Sequence, residues 1–179
     1  MACSSLIQLA RVCGAEGVVA GTEKLYMVAY NDLVPNSVTQ LTYSAATNGV
    51  INDIFLASGK TFVEVGLLKE TVGVTETLTK SPQNGVAFWT QTLPIVLSDL
   101  TTENRLWIES VLNQPVAFLL KTKTNKWLVG GLNGQLELSA AEGGTGVASD
   151  SLIGYTITFT GVSTKSLPQV NSTIIADLI

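Results

Sequence analysis

Side chains capable of chemistry are few in this chain, and their types restrict what it can do. The chain has 179 residues and no histidine. That excludes the usual Ser-His or Cys-His activation of a nucleophile and every metal site that needs an imidazole. Cys3 and Cys13 are the only cysteines, and two thiols complete a four-ligand zinc site only with help from carboxylates or a second subunit. We expect two reduced thiols, with a disulfide that pins the amino-terminal arm as the alternative.

Carboxylates and glycine-rich turns are the remaining candidates for a catalytic site. Glu64 and Glu76 could meet across a hairpin, as paired carboxylates do in glycosidases, but we expect solvated strand residues. The segment SGKT at residues 58–61 ends like a phosphate-binding loop, yet Ile54 stands where that loop needs its first glycine and a strand pattern follows. The segment EGGTG at residues 142–146 is predicted to be a flexible turn. We therefore predict that the chain is not an enzyme and binds no metal or cofactor.

The composition favours a subunit of an assembly. Charged residues make up 13% of the chain, roughly half of the ~25% found in an average soluble domain. A subunit covered on several sides by neighbours needs few charges, so we prefer this interpretation to a free Thr-rich β-domain. The net charge of −4 and the lack of a basic run argue against a protein that holds nucleic acid through phosphate contacts. No apolar segment approaches the ~18 residues of a membrane span, and no secretory signal pattern begins the chain, so we expect no membrane anchor.

The central stretch of the chain predicts a strand, a helix and a second strand. Residues 89–97 alternate, with Trp89 and Leu93 on the apolar side, which is the period of a half-buried strand. A helix is predicted over about residues 101–113, with Asp99 or Thr101 as its cap. Residues 116–120 form a short apolar run after Pro115, as in a core strand. We expect the helix to lie on a sheet, with a helix–sheet core formed by Trp89, Leu93, Trp107, Ile108 and Val111.

The rest of the chain predicts further strands within a single domain, residues 1–179. An amino-terminal arm (1–21) precedes a strand at residues 24–30, and a long loop (31–60) has at most short strands inside it. Residues 61–80 are predicted to be a hairpin, and Asn133-Gly134 predicts a second hairpin that joins strands at residues 126–130 and 135–140. The clearest strand covers residues 155–160. The carboxy-terminal arm (163–179) ends in apolar residues that should dock on a neighbour or on the chain's own sheet.

The order of these segments resembles that of the tail-tube-like structural proteins of tailed bacteriophages, especially of the kind that infects Bacteroidetes. The resemblance covers nearly the whole chain and is carried by GTEKLYMVAY, NGVAFWTQTLPIVLSDLTTENRLWIESVL, KWLVGGLNGQLEL, the GGTG loop and GYTITFTG. It implies a mainly β fold, a β-sandwich or partial barrel with one flanking helix. It also implies homo-oligomeric rings, commonly hexamers, that stack into a tube in the virion tail after synthesis in the host cytoplasm. The family offers no catalytic residue to carry over.

A tail tube is a passive conduit for genome DNA, so its wall should not bind the DNA tightly. We expect Glu64, Glu70 and Glu76, in the predicted hairpin, to face the channel. Residues 62–79 and the loop at 31–60 should supply contacts within and between rings. Other virion tail or neck proteins would be its partners. The alternatives are a neck, connector or tail-terminator ring, a capsid decoration or fibre protein and, less favoured, a carbohydrate-binding β-sandwich.

Overall fold

The fold is mainly β, with two packed sheets and one flanking helix of ten residues, as the sequence predicts. The computed structural model describes residues 20–45, 48–68, 70–147 and 151–179. Most of the predicted arm at residues 1–21, with Cys3 and Cys13, lies outside the described residues, so the state of the two thiols stays a prediction.

The larger sheet has seven strands in the order β2-β3-β11-β8-β7-β1-β4. Its strands are β1 (Thr22–Ala29), β2 (Tyr43–Ala45), β3 (Ile51–Ile54), β4 (Val63–Val65), β7 (Val116–Thr122), β8 (Trp127–Gly130) and β11 (Gln169–Val170). Residues 116–120 are all buried, because one face of β7 meets the smaller sheet and the other meets connecting segments. The unbroken apolar run in the sequence is therefore the signature of a strand with two covered faces.

The smaller sheet has four antiparallel strands in the order β5-β6-β10-β9. Its strands are β5 (Thr75–Ser81), β6 (Val86–Ser98), β9 (Glu137–Gly144) and β10 (Gly154–Ser163). Alternation in β6 and β10 puts Leu93, Ile95, Ile157 and Phe159 into the core, each fully buried. The strand predictions for residues 89–97 and 155–160 are confirmed.

Helix α1 (Thr102–Val111) covers the edge of the core between the sheets. Thr101 is the cap, because its side chain accepts a hydrogen bond from the Asn104 amide at 3.1 Å. Val111 is buried in the core, and the half-buried Trp107 and Ile108 pack against it. Trp107 meets Phe159 edge to face, with 6.3 Å between ring centroids. The predicted packing of the helix on a sheet is confirmed.

The predicted hairpin at residues 61–80 is wrong. β4 pairs with β1 in the larger sheet, whereas β5 pairs with β6 in the smaller sheet. The segment between them crosses from one sheet to the other and buries Val72 in the shared core, next to Val65. Two alternating runs joined by a turn therefore look the same in sequence whether they pair with each other or with different strands.

The second predicted hairpin is wrong for the same reason. β8 belongs to the larger sheet and β9 to the smaller one, so the Asn133-Gly134 turn is a corner between sheets. Gly131 begins this turn with φ of 78° and accepts the Gly134 amide hydrogen bond at 3.0 Å. The turn predicted at residues 142–146 is also corrected, because β9 continues to Gly144 and pairs with the start of β10.

Both long connecting regions add to the larger sheet. The segment at residues 31–60 contains β2 and β3, short strands as expected, and Ile51 of β3 is fully buried. The carboxy-terminal segment adds β11 and then a four-residue helix, α2 (Ile175–Leu178), which corrects the expectation of a single helix. Ile175 and Leu178 are buried, and the Leu178 carbonyl accepts the Phe62 amide at 2.7 Å. The apolar terminus therefore docks on the chain's own sheet.

Candidate functional site

The three glutamates predicted to share a channel wall lie in three different places. Glu64 is in β4 of the larger sheet and pairs with Lys24 at 3.5 Å. Glu70 lies in the connection to the smaller sheet, at φ of 63°, and pairs with Lys123 at 3.3 Å. Glu76 is in β5 of the smaller sheet. The hairpin that would have aligned the three glutamates does not form. They therefore make no acidic row, and Glu64 and Glu76 do not meet across a hairpin. Their position facing a channel stays a prediction.

Glu76 connects two segments of the fold through hydrogen bonds. Its Oε1 accepts the Leu167 amide at 2.8 Å and the Gln91 side-chain amide at 3.4 Å. Gln91 points into the core side of β6 and is 5% exposed. The pair ties the segment after β10 to the smaller sheet. Sequence reasoning missed Gln91, although a polar residue in the apolar alternation of residues 89–97 marks it.

The five residues predicted to form the helix–sheet core are not all together. Leu93, Trp107, Ile108 and Val111 belong to the core between the sheets or pack against it. Trp89 is outside that core, because β6 is 13 residues long and its first part runs past the packed region. Trp89 pairs instead with Leu78 and Ser163, where the smaller sheet narrows to two strands.

The described part of the chain contains no cluster of metal-ligating side chains. No three Cys, Asp or Glu side chains among them come close enough to hold a metal ion. A cavity of about 320 Å³ beside Tyr43 and Gln91 has Lys165 as its one charged lining residue, so it lacks an acid–base pair. No helix in this part of the chain is long and apolar enough to cross a bilayer.

The most ordered polar surface is the outward face of the smaller sheet. We call it the threonine face, and define it by the outward side chains of β5, β6 and β10: Thr75, Thr77, Thr79, Thr90, Thr92, Pro94, Val96, Thr156, Thr158, Thr160 and Val162. In β6 and β10 they alternate with buried residues, and the register of β5 on β6 puts the threonines of β5 on the same face. Strand register aligns them in rows across the sheet, and one row is Thr75, Thr92, Thr160 and Glu137.

The four strands of the smaller sheet carry more acidic than basic residues. Lys80 is the only basic residue in its four strands, and it alternates onto the opposite face from the threonines. Glu137 and Glu142, in β9, are in register with Thr160 and Thr156. The hydroxyl groups are partly paired with each other, as Ser139 and Thr160 are at 3.0 Å. The threonine face therefore offers hydroxyl and methyl groups with acidic residues at one margin and no cation.

The margins of this sheet are open strands. β5 and β9 stand at its two edges, and neither pairs with a second strand in the described part of the chain. Most side chains of both strands are exposed. Unpaired strand edges with few charges are templates for pairing with another chain.

One ionisable group in the described chain has a clearly shifted pKa. The Tyr26 hydroxyl, which accepts from the Lys24 ammonium at 3.4 Å, and then Glu64 raise the pKa of Lys24 above its ordinary value of 10.5. Both neighbours stabilise the charged form of an exposed lysine. A lysine is charged at neutral pH at its ordinary pKa, and an upward shift moves Lys24 further from proton transfer at that pH.

Comparisons of the chain with protein-family models, with curated proteins and with solved structures found no match.

Proposed function

We propose that this chain is a structural subunit of a phage tail-tube-like assembly, in which the threonine face lines a conduit for DNA. The observation that carries the proposal is the lack of any lysine or arginine on that face, over a sheet of four strands. The segment order in the sequence, which resembles tail-tube proteins, supplies the biological setting.

The physical argument concerns how a polyanion moves past a wall. Each lysine or arginine that contacts phosphates releases condensed counterions and strengthens binding, with log K falling by about 0.9 per contact for each tenfold rise in salt. Hydroxyl groups make no such contribution. Repulsion from a carboxylate several ångströms away in water is only about 1 kcal/mol or less per pair, but identical rings would repeat it along a tube. In this proposal Glu137 and Glu142, which lie beside the threonine rows, take the place of Glu64, Glu70 and Glu76 as the carboxylates near the channel.

Ring closure in this proposal uses the two free edges of the smaller sheet. The β5 edge of one subunit joins the β9 edge of the next by main-chain hydrogen bonds, and the resemblance implies six copies per ring. The low charge of the chain fits an assembly in which several faces are covered.

The other classes of protein fit the structure less well. A carbohydrate-binding sandwich needs exposed aromatic side chains on one face, but Trp89, Trp107 and Trp127 are all half-buried, and the last two pack against the two cores. The threonine face has one aromatic neighbour, Phe88, at its narrow end. A capsid decoration or fibre protein would be a monomer or trimer without a channel.

The experiment measures duplex DNA binding by the assembled protein across a range of salt concentrations. We expect no measurable binding by the parent at physiological salt. The double variant Thr92→Lys, Thr160→Lys should gain binding that weakens steeply with salt, because it adds cations to the wall. A matched control carries two lysines on exposed positions of the larger sheet, Ser44→Lys and Asn52→Lys. Salt-sensitive, micromolar binding by the parent, or equal gains in the two variants, would contradict the conduit.

A further inference from the structure

The chain contains three Asn-Gly pairs: Asn48-Gly49, Asn84-Gly85 and Asn133-Gly134. In such a pair the backbone nitrogen of the glycine can attack the side-chain carbonyl carbon of the asparagine, because glycine has no side chain to obstruct the approach and adopts most backbone conformations. All three asparagines are exposed to solvent. Exposure therefore does not distinguish the pairs, and the hydrogen bonds around each one set how readily it reacts.

The reaction converts an asparagine into an acidic residue without an enzyme. The glycine nitrogen gives its proton to the solvent and bonds to Cγ of the asparagine, and the side-chain nitrogen takes up a proton and leaves as ammonia. The product is a succinimide ring. Water then opens the ring at either carbonyl and gives aspartate, or isoaspartate with the main chain running through Cγ. The net change is one water taken up and one ammonia released.

The pair Asn133-Gly134 is held at both reacting groups. The Asn133 Nδ2 donates to the Val162 carbonyl at 2.7 Å, and its Oδ1 accepts a backbone amide at 3.3 Å. The attacking nitrogen, that of Gly134, donates to the Gly131 carbonyl at 3.0 Å. Each hydrogen bond that has to break makes the reactive conformation about 2- to 12-fold rarer. The fold therefore protects Asn133, although its side chain is exposed.

The pair Asn48-Gly49 is held by one bond to the side chain. The Asn48 Oδ1 accepts the Val50 amide at 3.2 Å, which turns the carboxamide toward residue 50. A Cβ added at Gly49 would meet no atom within 4 Å, so the glycine itself is unobstructed. We therefore expect Asn48 to be less protected than Asn133.

The pair Asn84-Gly85 lies at the end of the β5–β6 hairpin, where little else contacts it. The last pair between β6 and β10 is Trp89 with Ser163, so residues 79–88 form a two-stranded ribbon beyond the rest of the sheet. A short 3-10 turn, Pro82–Asn84, closes this ribbon. A two-stranded ribbon is marginally stable by itself in water. The turn can therefore rearrange for ring closure without disturbing the core.

Hydrogen bonding restrains this pair less than the other two. The Asn84 side chain forms no hydrogen bond among the described residues. The attacking nitrogen, that of Gly85, donates to the Pro82 carbonyl at 3.4 Å, which is longer than the ~2.7–3.2 Å of an ordinary bond. A Cβ added at Gly85 would meet no atom within 4 Å. Both reacting groups are thus exposed, unobstructed and weakly held.

We propose that Asn84 is a site of spontaneous modification, at which attack by the Gly85 nitrogen produces aspartate and isoaspartate. Lys80 is the only charged residue of the ribbon, so either product neutralises that end of the hairpin. Isoaspartate also lengthens the main chain within the 3-10 turn. The inference concerns the chain by itself and does not rest on the proposed tube.

Peptide mapping of the unmodified protein tests the assignment, because trypsin separates the three pairs. Cleavage after lysine and arginine leaves Asn48 in residues 25–60, Asn84 in residues 81–105 and Asn133 in residues 127–165. The folded protein is incubated in mildly alkaline buffer, and samples are digested at intervals and compared by mass spectrometry with an unincubated sample. Enzymatic methylation of the free carboxylate detects isoaspartate. We expect Asn84 to react fastest, and roughly 10-fold or more faster than Asn133, whose hydrogen bonds have to break.

The unfolded chain is the matched control. In guanidinium chloride the hydrogen bonds are lost, so the rates at the three pairs should converge. Asn84→Gln should remove most of the acidic form that isoelectric focusing detects after incubation of the folded protein, whereas Asn48→Gln should leave it. Faster reaction at Asn48 or Asn133 than at Asn84 in the folded protein would overturn the inference. So would a ranking that stays unchanged on unfolding, or an Asn84 that reacts only in the unfolded chain.

Discussion

Replacement of Trp107 by alanine tests how α1 is held on the core. Complete burial makes an aromatic-to-alanine change cost ~3–5 kcal/mol, but Trp107 is only half-buried because one side lines a cavity of about 380 Å³ between α1 and β4. Half of that cost is about 2 kcal/mol, and loss of the edge-to-face contact with Phe159 adds ~0.5–1.5 kcal/mol. We therefore expect Trp107→Ala to lower the free energy of unfolding by about 2 to 4 kcal/mol.

The assay is urea unfolding followed by far-ultraviolet circular dichroism, at one low protein concentration so that assembly does not shift the midpoint. Leu106→Ala is the control, because Leu106 is the neighbouring residue of the same helix and is 54% exposed. It should change stability by less than ~0.5 kcal/mol, as surface substitutions do. A loss below ~1 kcal/mol for Trp107→Ala, or equal losses in both variants, would refute the packing argument.

Three other expectations concern the backbone, the carboxyl end and one lysine. Gly131→Ala and Gly59→Ala both place a side chain at positive φ, 78° and 76°, but a Cβ at Gly131 meets the first carbonyl oxygen of β7 whereas a Cβ at Gly59 has open space. Gly59→Ala should therefore cost ~1–2 kcal/mol of stability, and Gly131→Ala clearly more. Equal thermal midpoints for the two variants would contradict this. Removal of residues 175–179 should lower the thermal midpoint and expose the Phe62 amide to hydrogen exchange, because it donates to the Leu178 carbonyl; an unchanged midpoint would show that α2 contributes nothing. The pKa of Lys24 is raised in the folded chain, so the stabilisation from its ammonium is complete below its ordinary pKa of 10.5 and is lost as the pH rises through the higher folded value; an NMR titration midpoint at or below 10.5 would contradict the contact with Tyr26.

Elements that follow from local pattern were predictable from the sequence. The strand, helix and strand at residues 86–120 each have their own period, and the helix has a capping threonine and a following proline. The docking of the apolar carboxyl end was predictable because exposure of Ile175 and Leu178 to water is unfavourable. These inferences depend on which side chains are apolar, and not on which strands become neighbours.

The pairing of strands was not predictable, and the candidate site depended on it. Residues 63–65 and 75–81 alternate as a hairpin would, yet Val72 in the intervening segment is drawn into the core and separates them into two sheets. The hairpin predicted from the sequence therefore put the three glutamates on one wall. Nothing in the sequence pattern indicated that Thr75, Thr92 and Thr160 share a row. Similarly, residues 142–144 have little strand propensity of their own and are extended because β10 pairs with them.

Cryo-electron microscopy of the assembled, unmodified protein tests the central claim most directly. The account predicts stacked rings around a channel, with the threonine face turned to the lumen and the β5 and β9 edges of adjacent subunits paired. A lumen lined by the larger sheet, or a particle with no channel at concentrations where it assembles, would contradict it.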